Sequence, residues 1–459
     1  MGILNFYKSV REKYPEAFKS EWLDSYDHVY SDVNCCLHNC AYKANSKEEI
    51  YNRLYKFYDG IMLNLMPYKS ITFSSDGSAP LAKVLLQRKR RQEIGKDLDQ
   101  KVDNSSLMFT PGTVFMNTLK DKISNYINFL KNVYAVNINY LNTDFDEAEL
   151  KLKKCVMDNM QNYPNDTHIL ITNDSDVIAM LTTLPDFSNV YVMCKFGKDI
   201  EIVSVRKLID LHTTKYGCGH NYGLDFTCLS IMLGNDYLPR IQCIDFDKIW
   251  DSYKLIIKKN PVGMILKKDN GFEINKKFFI DLLSTFLSKI PSGKQKKINM
   301  HNAYDDLYTN YMDGFTWCLD TYISGKCKRY NYMYTSKENP HPFGLILNIS
   351  VDPKNLCVSE EQYEPLSCEI YAMLLLPKNA MSLIDVQYHE FMKNSKKLYI
   401  DDSCESCDKM TERIKSITDQ TEILNLNKKI RNHKKFHDNI ELEDIYDFIE
   451  KYKLQKINC

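Results

Sequence analysis

The sequence predicts an α/β fold: a Rossmann-like core with a mainly parallel central sheet flanked by helices, followed by a mostly helical C-terminal region. Three observations lead there. Short apolar runs alternate with amphipathic stretches through the first half, the pattern of strand–helix–strand units. Several of those runs end abruptly on Asp, as strands do where they leave a buried sheet for a polar edge. From about residue 246 onward the apolar spacing turns helical.

The elements follow in order. "YDHVYSDVN" (Tyr26 to Asn34) reads as a strand ending at Asp32, and an amphipathic pattern predicts a helix over Lys47 to Leu65. "SITFSSDG" (Ser70 to Gly77) reads as a strand ending at Asp76, with a basic helix after it. A helix is expected over Thr113 to Leu130, a strand over Asn132 to Leu141, and a helix over Ala148 to Met160. "HILITND", which delivers Asp174 and Asp176, and "NVYVMCKF" (Asn189 to Phe196) complete the strands. The stretch Met410 to Lys456 is highly charged and expected as a solvated helical tail, with disorder as the alternative. There is no internal repeat and no Pro- or Gly-rich linker. The expected organisation is a core over 1–245, a helical region over 246–400 and the tail over 401–459.

Composition narrows the class. The 459 residues can bury a substantial core, and 44% hydrophobic with 26% charged content is ordinary for a globular protein. Sixty basic and 60 acidic residues cancel, so any nucleic-acid site has to be a local basic patch. The start has no apolar core of secretory type, and no stretch approaches the roughly 18 apolar residues of a membrane span. The 15 cysteines are scattered and expected to be reduced, in an intracellular protein, cytoplasmic or nuclear with the cytoplasm favoured. Cys404 and Cys407 form the only CxxC, with no second pair at zinc spacing. Gly2 lacks the Ser or Thr at position 6 that N-myristoylation needs, since Phe6 stands there.

The acids carry the chemistry. Asp32, Asp76, Asp174 and Asp176 sit at strand ends, Glu147 and Glu149 where "NTDFDEAELKLKK" turns into helix, and Asp236 in "LGNDYLP". Each alone could be a cap or turn residue. Together, seven convergent carboxylates would repel one another unless cations neutralised them. Oxygen-only donors suit two hard ions, Mg²⁺ or Mn²⁺, and such a site suits phosphodiester hydrolysis. The second signal is the helix after Asp76. At 100° per residue from Lys83, Gln87 falls at about 40°, Arg90 at about −20° and Arg91 at about 80°, one stripe opposite Leu81 and Leu85. That stripe is suited to holding a phosphate; the alternative is a solvated charged face.

At these residues the chain resembles the Xrn-type 5′→3′ exoribonuclease family, as a compact member of a length that would suit a viral or parasite protein. "MGILNFYKSVREKYP" is similar to the family's opening, and "YSDVNCCLHNC" resembles its strand–metal–His segment. "SDGSAPLAKVLLQRKRR", "FTPGTVFMNTL", "ITNDSDVIAM" and "LGNDYLPRI" match further family blocks, and two later stretches resemble degenerate copies of its second conserved region. The resemblance implies a PIN-like nuclease core. It implies catalytic metal ligation by Asp32, Asp76, Glu147, Glu149, Asp174, Asp176 and Asp236, and a 5′-monophosphate pocket from Lys83, Gln87, Arg90 and Arg91. His38 would stack on the first base, with Tyr330 or Trp317 as candidates for a second stacking partner. The substrate implied is single-stranded RNA with a 5′-monophosphate, single-stranded DNA being the variant, acted on by a monomer without a membrane. The family's Gly-Glu-Gly-Glu-His-Lys stands here as Asp146-Glu147-Ala148-Glu149-Leu150-Lys151, which keeps both Glu and loses both Gly and the His. Two other readings stay open: a flap-type DNA nuclease, which usually has a Gly-rich segment after its last metal Asp, and a catalytically inactive RNA-end-binding protein.

Overall fold

In a computed structural model of the chain, the described residues are 2–3, 5–19, 23, 25–96, 105–195, 200–268, 271–290, 306–336, 338–359, 361–395, 397–399, 405–417, 419–437 and 442–457. They fall into two compact units, Met1–Lys83 with Thr118–Leu366, and Val84–Asn117 with Ser367–Cys459. This division is discontinuous along the chain, where the sequence expectation drew three contiguous segments.

The first unit is built on a seven-stranded sheet. Its strands are β1 (Phe18–Lys19), β2 (Tyr26–Asp32), β3 (Pro67–Ser74), β4 (Asn137–Leu141), β5 (His168–Ile171), β6 (Val190–Lys195) and β7 (Glu201–Ser204), in the order β1-β7-β6-β5-β2-β3-β4. Strands β2 to β6 are mutually parallel, while β7 and β1 add antiparallel at one edge. The five parallel strands are the five read from sequence. The inner strands are legible as apolar runs buried on both faces, with Val29, Tyr30, Ile71, Phe73 and Ile169–Ile171 fully or almost fully buried, whereas the edge strand β4 buries only Ile138. Along the parallel part the chain winds from β2 outward to β4, then returns to β5 on the other side of β2. The strand order therefore reverses between β2 and β5, the switch point where such sheets open a crevice at their carboxyl ends.

Several boundaries differ from expectation. The helix Val114–Val133 takes up Asn132 and Val133, and β4 begins only at Asn137, because Ile123, Tyr126, Ile127 and Leu130 continue a buried helical stripe. Strand β3 starts earlier, at Pro67, and stops two residues short of Asp76. Strands β1 and β7 and the hairpin β8 (Ile265–Lys268) and β9 (Gly271–Ile274) are additions, the hairpin interrupting a region expected to be helical. Phe196 lies outside the described residues.

The amino ends of the parallel strands hold a buried polar cluster. The rings of His28 on β2 and His168 on β5 stack at 5.0 Å. His28 bonds Ser70 Oγ at 2.7 Å and Asp166 at 2.9 Å, and His168 bonds the Tyr30 hydroxyl at 3.0 Å. Burial, and secondarily the neighbouring His28, push His168 down to about 4, against the pull of Asp166 and Asp27. The unfolded chain binds that proton more readily, so stability contributed by neutral His168 is present above pH ~6.5 and is lost as the pH falls toward about 4. The expected loss from this group approaches ~3 kcal/mol. Urea unfolding at pH 7 and pH 5 checks it: His168→Leu should flatten the pH slope, and an unchanged slope would refute the assignment.

The second unit is helical. It includes Cys368–Leu375, His389–Asn394, Glu405–Ser416, Gln420–His437 and Leu442–Ile457. The tail is helical in its described parts, but its last helix is not simply solvated. Ile445, Phe448, Ile449 and Tyr452 are buried, with Phe448 and Tyr452 packed on Phe391 at ring distances of 4.9 and 5.6 Å. Those apolar positions share one helix face, which the high charge of the segment obscures in sequence. No described helix is long and apolar enough to cross a membrane.

Candidate active site

The acidic residues meet in the first unit at the carboxyl edge of the sheet. Asp32 ends β2 and caps the helix Val33–Ala41, its carboxylate accepting from Cys35 N–H at 3.0 Å and from the Thr172 hydroxyl at 3.2 Å. Asp76 stands on the loop after β3; its N–H donates to Asn34 Oδ1 at 3.1 Å, and its carboxylate accepts from Ala148 N–H at 2.9 Å. Glu147 caps the helix Ala148–Asn162, and Glu149 lies in that helix's first turn. Asp174 lies past the end of β5 and accepts from Asp176 N–H at 3.1 Å. Asp176 accepts from Ile3 N–H and from the Tyr322 hydroxyl, the latter at 3.0 Å. Asp236 stands 3.3 Å from the Lys83 ammonium, which also donates to Glu147.

Electrostatics tie the seven together. Burial, then the charges of Asp76 and Asp174, push Asp32 up to about 7. Burial, then Asp174, with Asp236 also contributing, push Asp176 up to about 8. Glu149 is raised well above the carboxylate range by burial and then by Glu147, with Asp174 and Asp76 adding to it. Burial disfavours the Lys83 ammonium, but Glu147, Asp236, Glu149 and Asp174 outweigh that and hold it charged. Each of the seven thus feels at least one of the others, as members of one cluster do.

Close packing sets the loop geometry. Gly2 has φ 78°, and a Cβ there would overlap the carboxylates of Asp174 and Asp176. At Gly77 a Cβ would overlap the backbone of Asp144 and Phe145, so glycine lets the Asp76 loop and the Glu147 loop lie against each other.

The other expected residues have their own surroundings. Lys83 belongs to the first unit and points into the carboxylates; Gln87, Arg90 and Arg91 belong to the second. There Gln87 is buried, its side-chain oxygen accepting from Arg91, whose Nε donates to Thr110 Oγ1 at 2.7 Å. His38 is exposed near the end of the helix that Asp32 caps. Trp317 and Tyr330 are both buried: Trp317 packs on Tyr332 at 4.9 Å, and the Tyr330 hydroxyl donates to Asp146. Neither ring offers a face to a base. Cys404 lies outside the described residues.

Sequence reasoning missed two tyrosines. The Tyr237 hydroxyl donates to Glu147, and Tyr322 donates to Asp176 while accepting from Asn235 Nδ2 at 3.1 Å. Tyr237 follows Asp236 directly, a cue that was available; Tyr322 has no comparable cue, since it reaches the site only through the packing of the helix Asp306–Ser324.

The donor chemistry fits a hard divalent cation: oxygen ligands only, with more negative charge than one lysine can offset. Among the described residues no three of these carboxylates already stand in a ligating arrangement around one point.

Residues 1–194 match the family described as XRN 5'-3' exonuclease N-terminus. The 5'-3' exoribonuclease 1 of Schizosaccharomyces pombe is 24% identical over 299 residues, 52% of this chain and 22% of that protein. Its Homo sapiens namesake is 23% identical over 298 residues, 52% of this chain and 17% of that protein. The matched stretch therefore spans about a fifth of these relatives' length. Among solved structures, the catalytic core of Rad2 in complex with DNA substrate aligns over 86% of this chain and 98% of that chain, at 13% identity and a TM-score of 0.36.

Proposed function

We propose that the chain, whose residues 1–194 match the family described as XRN 5'-3' exonuclease N-terminus, is a metal-dependent 5′→3′ exoribonuclease that hydrolyses 5′-monophosphorylated single-stranded RNA to nucleoside monophosphates. The observation that carries this reading is the electrostatic linkage of Asp32, Asp76, Glu147, Glu149, Asp174, Asp176 and Asp236 at the switch point of a parallel sheet, with Lys83 among Glu147, Glu149, Asp174 and Asp236. The relatives' name, 5'-3' exoribonuclease, supports the substrate class.

Two Mg²⁺ or Mn²⁺ ions, held by these seven carboxylates, would supply an activated water and stabilise the departing oxygen. The chain's own groups do the rest. Lys83 balances charge among Glu147, Asp236 and Glu149. Tyr237 and Tyr322 hold Glu147 and Asp176 in orientation. On the sequence pattern, Gln87, Arg90 and Arg91 join Lys83 in gripping the terminal 5′-phosphate, and His38 stacks on the first base. A grip sized for one phosphate orients the first phosphodiester toward the acids and disfavours a triphosphate end.

The test is degradation of 3′-labelled RNA carrying a 5′-monophosphate or a 5′-triphosphate, with Mg²⁺, with Mn²⁺ and with EDTA. We expect metal-dependent release of mononucleotides and a rate lower by about tenfold or more on the triphosphate. Equal rates would remove the phosphate grip, and no hydrolysis with either metal would remove the enzyme reading.

A further inference from the structure

The loop that carries Glu147 presents an aromatic ring to solvent. Phe145 is 44% exposed, two residues before Glu147. An exposed Phe on a mobile loop would mean little, but this loop is pinned from several sides. Ser78 N–H donates to Asp144 carbonyl at 2.9 Å and Gly77 N–H to Asp146 carbonyl at 2.8 Å. Thr143 Oγ1 donates to the Phe145 carbonyl at 3.1 Å, and Tyr330 donates to Asp146. The loop thus lies against the residues that immediately follow Asp76, and the Phe145 backbone is fixed between two of the acids.

Two lysines bond the loop. The Lys151 ammonium donates to the Thr143 carbonyl at 3.1 Å, and Lys120 pairs with Asp144 at 2.5 Å. An exposed ring on a pinned backbone, with an ammonium group on the same loop, has the composition of a single-strand nucleic-acid platform, in which a ring face takes a base and lysines take phosphates.

We propose that Phe145 stacks against a base of the bound single strand, with Lys151 holding a neighbouring phosphate. This rests on the nucleic-acid reading above and supplies the second stacking surface that buried Trp317 and Tyr330 cannot. Stacking on Phe145 is tolerant of sequence, because every base has a π-face.

The experiment measures binding of a fluorescent 5′-monophosphorylated single-stranded RNA in EDTA, so that no hydrolysis is needed. Phe145→Ala should weaken binding by roughly 5- to 100-fold, and Phe145→Trp should restore it. Scanning a single abasic site along the RNA should find one position that weakens wild type and leaves Phe145→Ala unchanged. Equal affinity of wild type and Phe145→Ala, or no such position, overturns the proposal. Wild type that binds and discriminates in this way but hydrolyses nothing with Mg²⁺ leaves the platform standing and removes the exonuclease reading. Hydrolysis by wild type with unaltered binding by Phe145→Ala removes only the platform.

Discussion

The Asp174→Ala, Asp176→Ala double variant is expected to lose RNA hydrolysis by about 10³-fold or more while still binding RNA. The two carboxylates stand beyond the end of β5, next to the strand-order reversal, and Asp176 shares its environment with Asp174 and Asp236. Removing both withdraws charge and ligand oxygens from any ion at the centre, and stabilisation of that kind is worth several kcal/mol in the transition state. Folding should change much less. Alanine leaves Ile3 N–H and the Tyr322 hydroxyl without the acceptor they use, at about 1–3 kcal/mol per buried donor. Against that, it removes two mutually repelling groups. The Asp174→Asn, Asp176→Asn variant keeps oxygen acceptors and separates the two effects: it should regain stability without regaining activity. Single-turnover rates on 5′-monophosphate RNA, read beside circular dichroism and RNA affinity, decide the matter. Hydrolysis within tenfold of wild type by the alanine variant would place the chemistry elsewhere.

Lys83→Met is expected to destabilise the first unit by ~3–5 kcal/mol, the usual consequence of deleting one partner of a buried ionic cluster. The side chain is buried, and its ammonium faces Glu147 and Asp236 directly, with Glu149 and Asp174 close enough to add to its charged state. Methionine fills similar volume, so the loss reports charge rather than a cavity. Excess Mg²⁺ should return part of the lost stability by occupying the uncompensated acids, a linkage effect that grows with the logarithm of ion concentration. Urea denaturation in EDTA and in Mg²⁺ measures both. A Lys83→Met variant within 1 kcal/mol of wild type in EDTA would mean that the acids do not depend on this cation.

These two residues differ in how they could be read. Asp174 and Asp176 follow an apolar run, and burying charge beside such a run calls for a reason that local structure alone does not give. Asp32 and Asp76 are legible by the same logic, and Glu147 and Glu149 by their place at a helix start. Lys83 was legible as a cation on a helical stripe with Gln87, Arg90 and Arg91, but its turn inward toward Glu147 was not. Helical periodicity places side chains around an axis and says nothing about which neighbour an ammonium will meet. The last helix, Leu442–Ile457, shows the same limit: its charges suggested solvent, whereas Phe448 and Tyr452 pack on Phe391.

Local pattern by itself determined the parallel strands, the acids at their ends and the basic helix, because burial of apolar runs and the spacing of polar residues act over a few neighbouring positions. Tertiary packing alone decided that Tyr322, 146 residues from Asp176, holds that carboxylate, and that Trp317 and Tyr330 are closed to a ligand while Phe145 stands in solvent. A hydrogen bond or a buried ring depends on where distant segments come to rest, and that follows from the packing of whole elements rather than from the residues beside it.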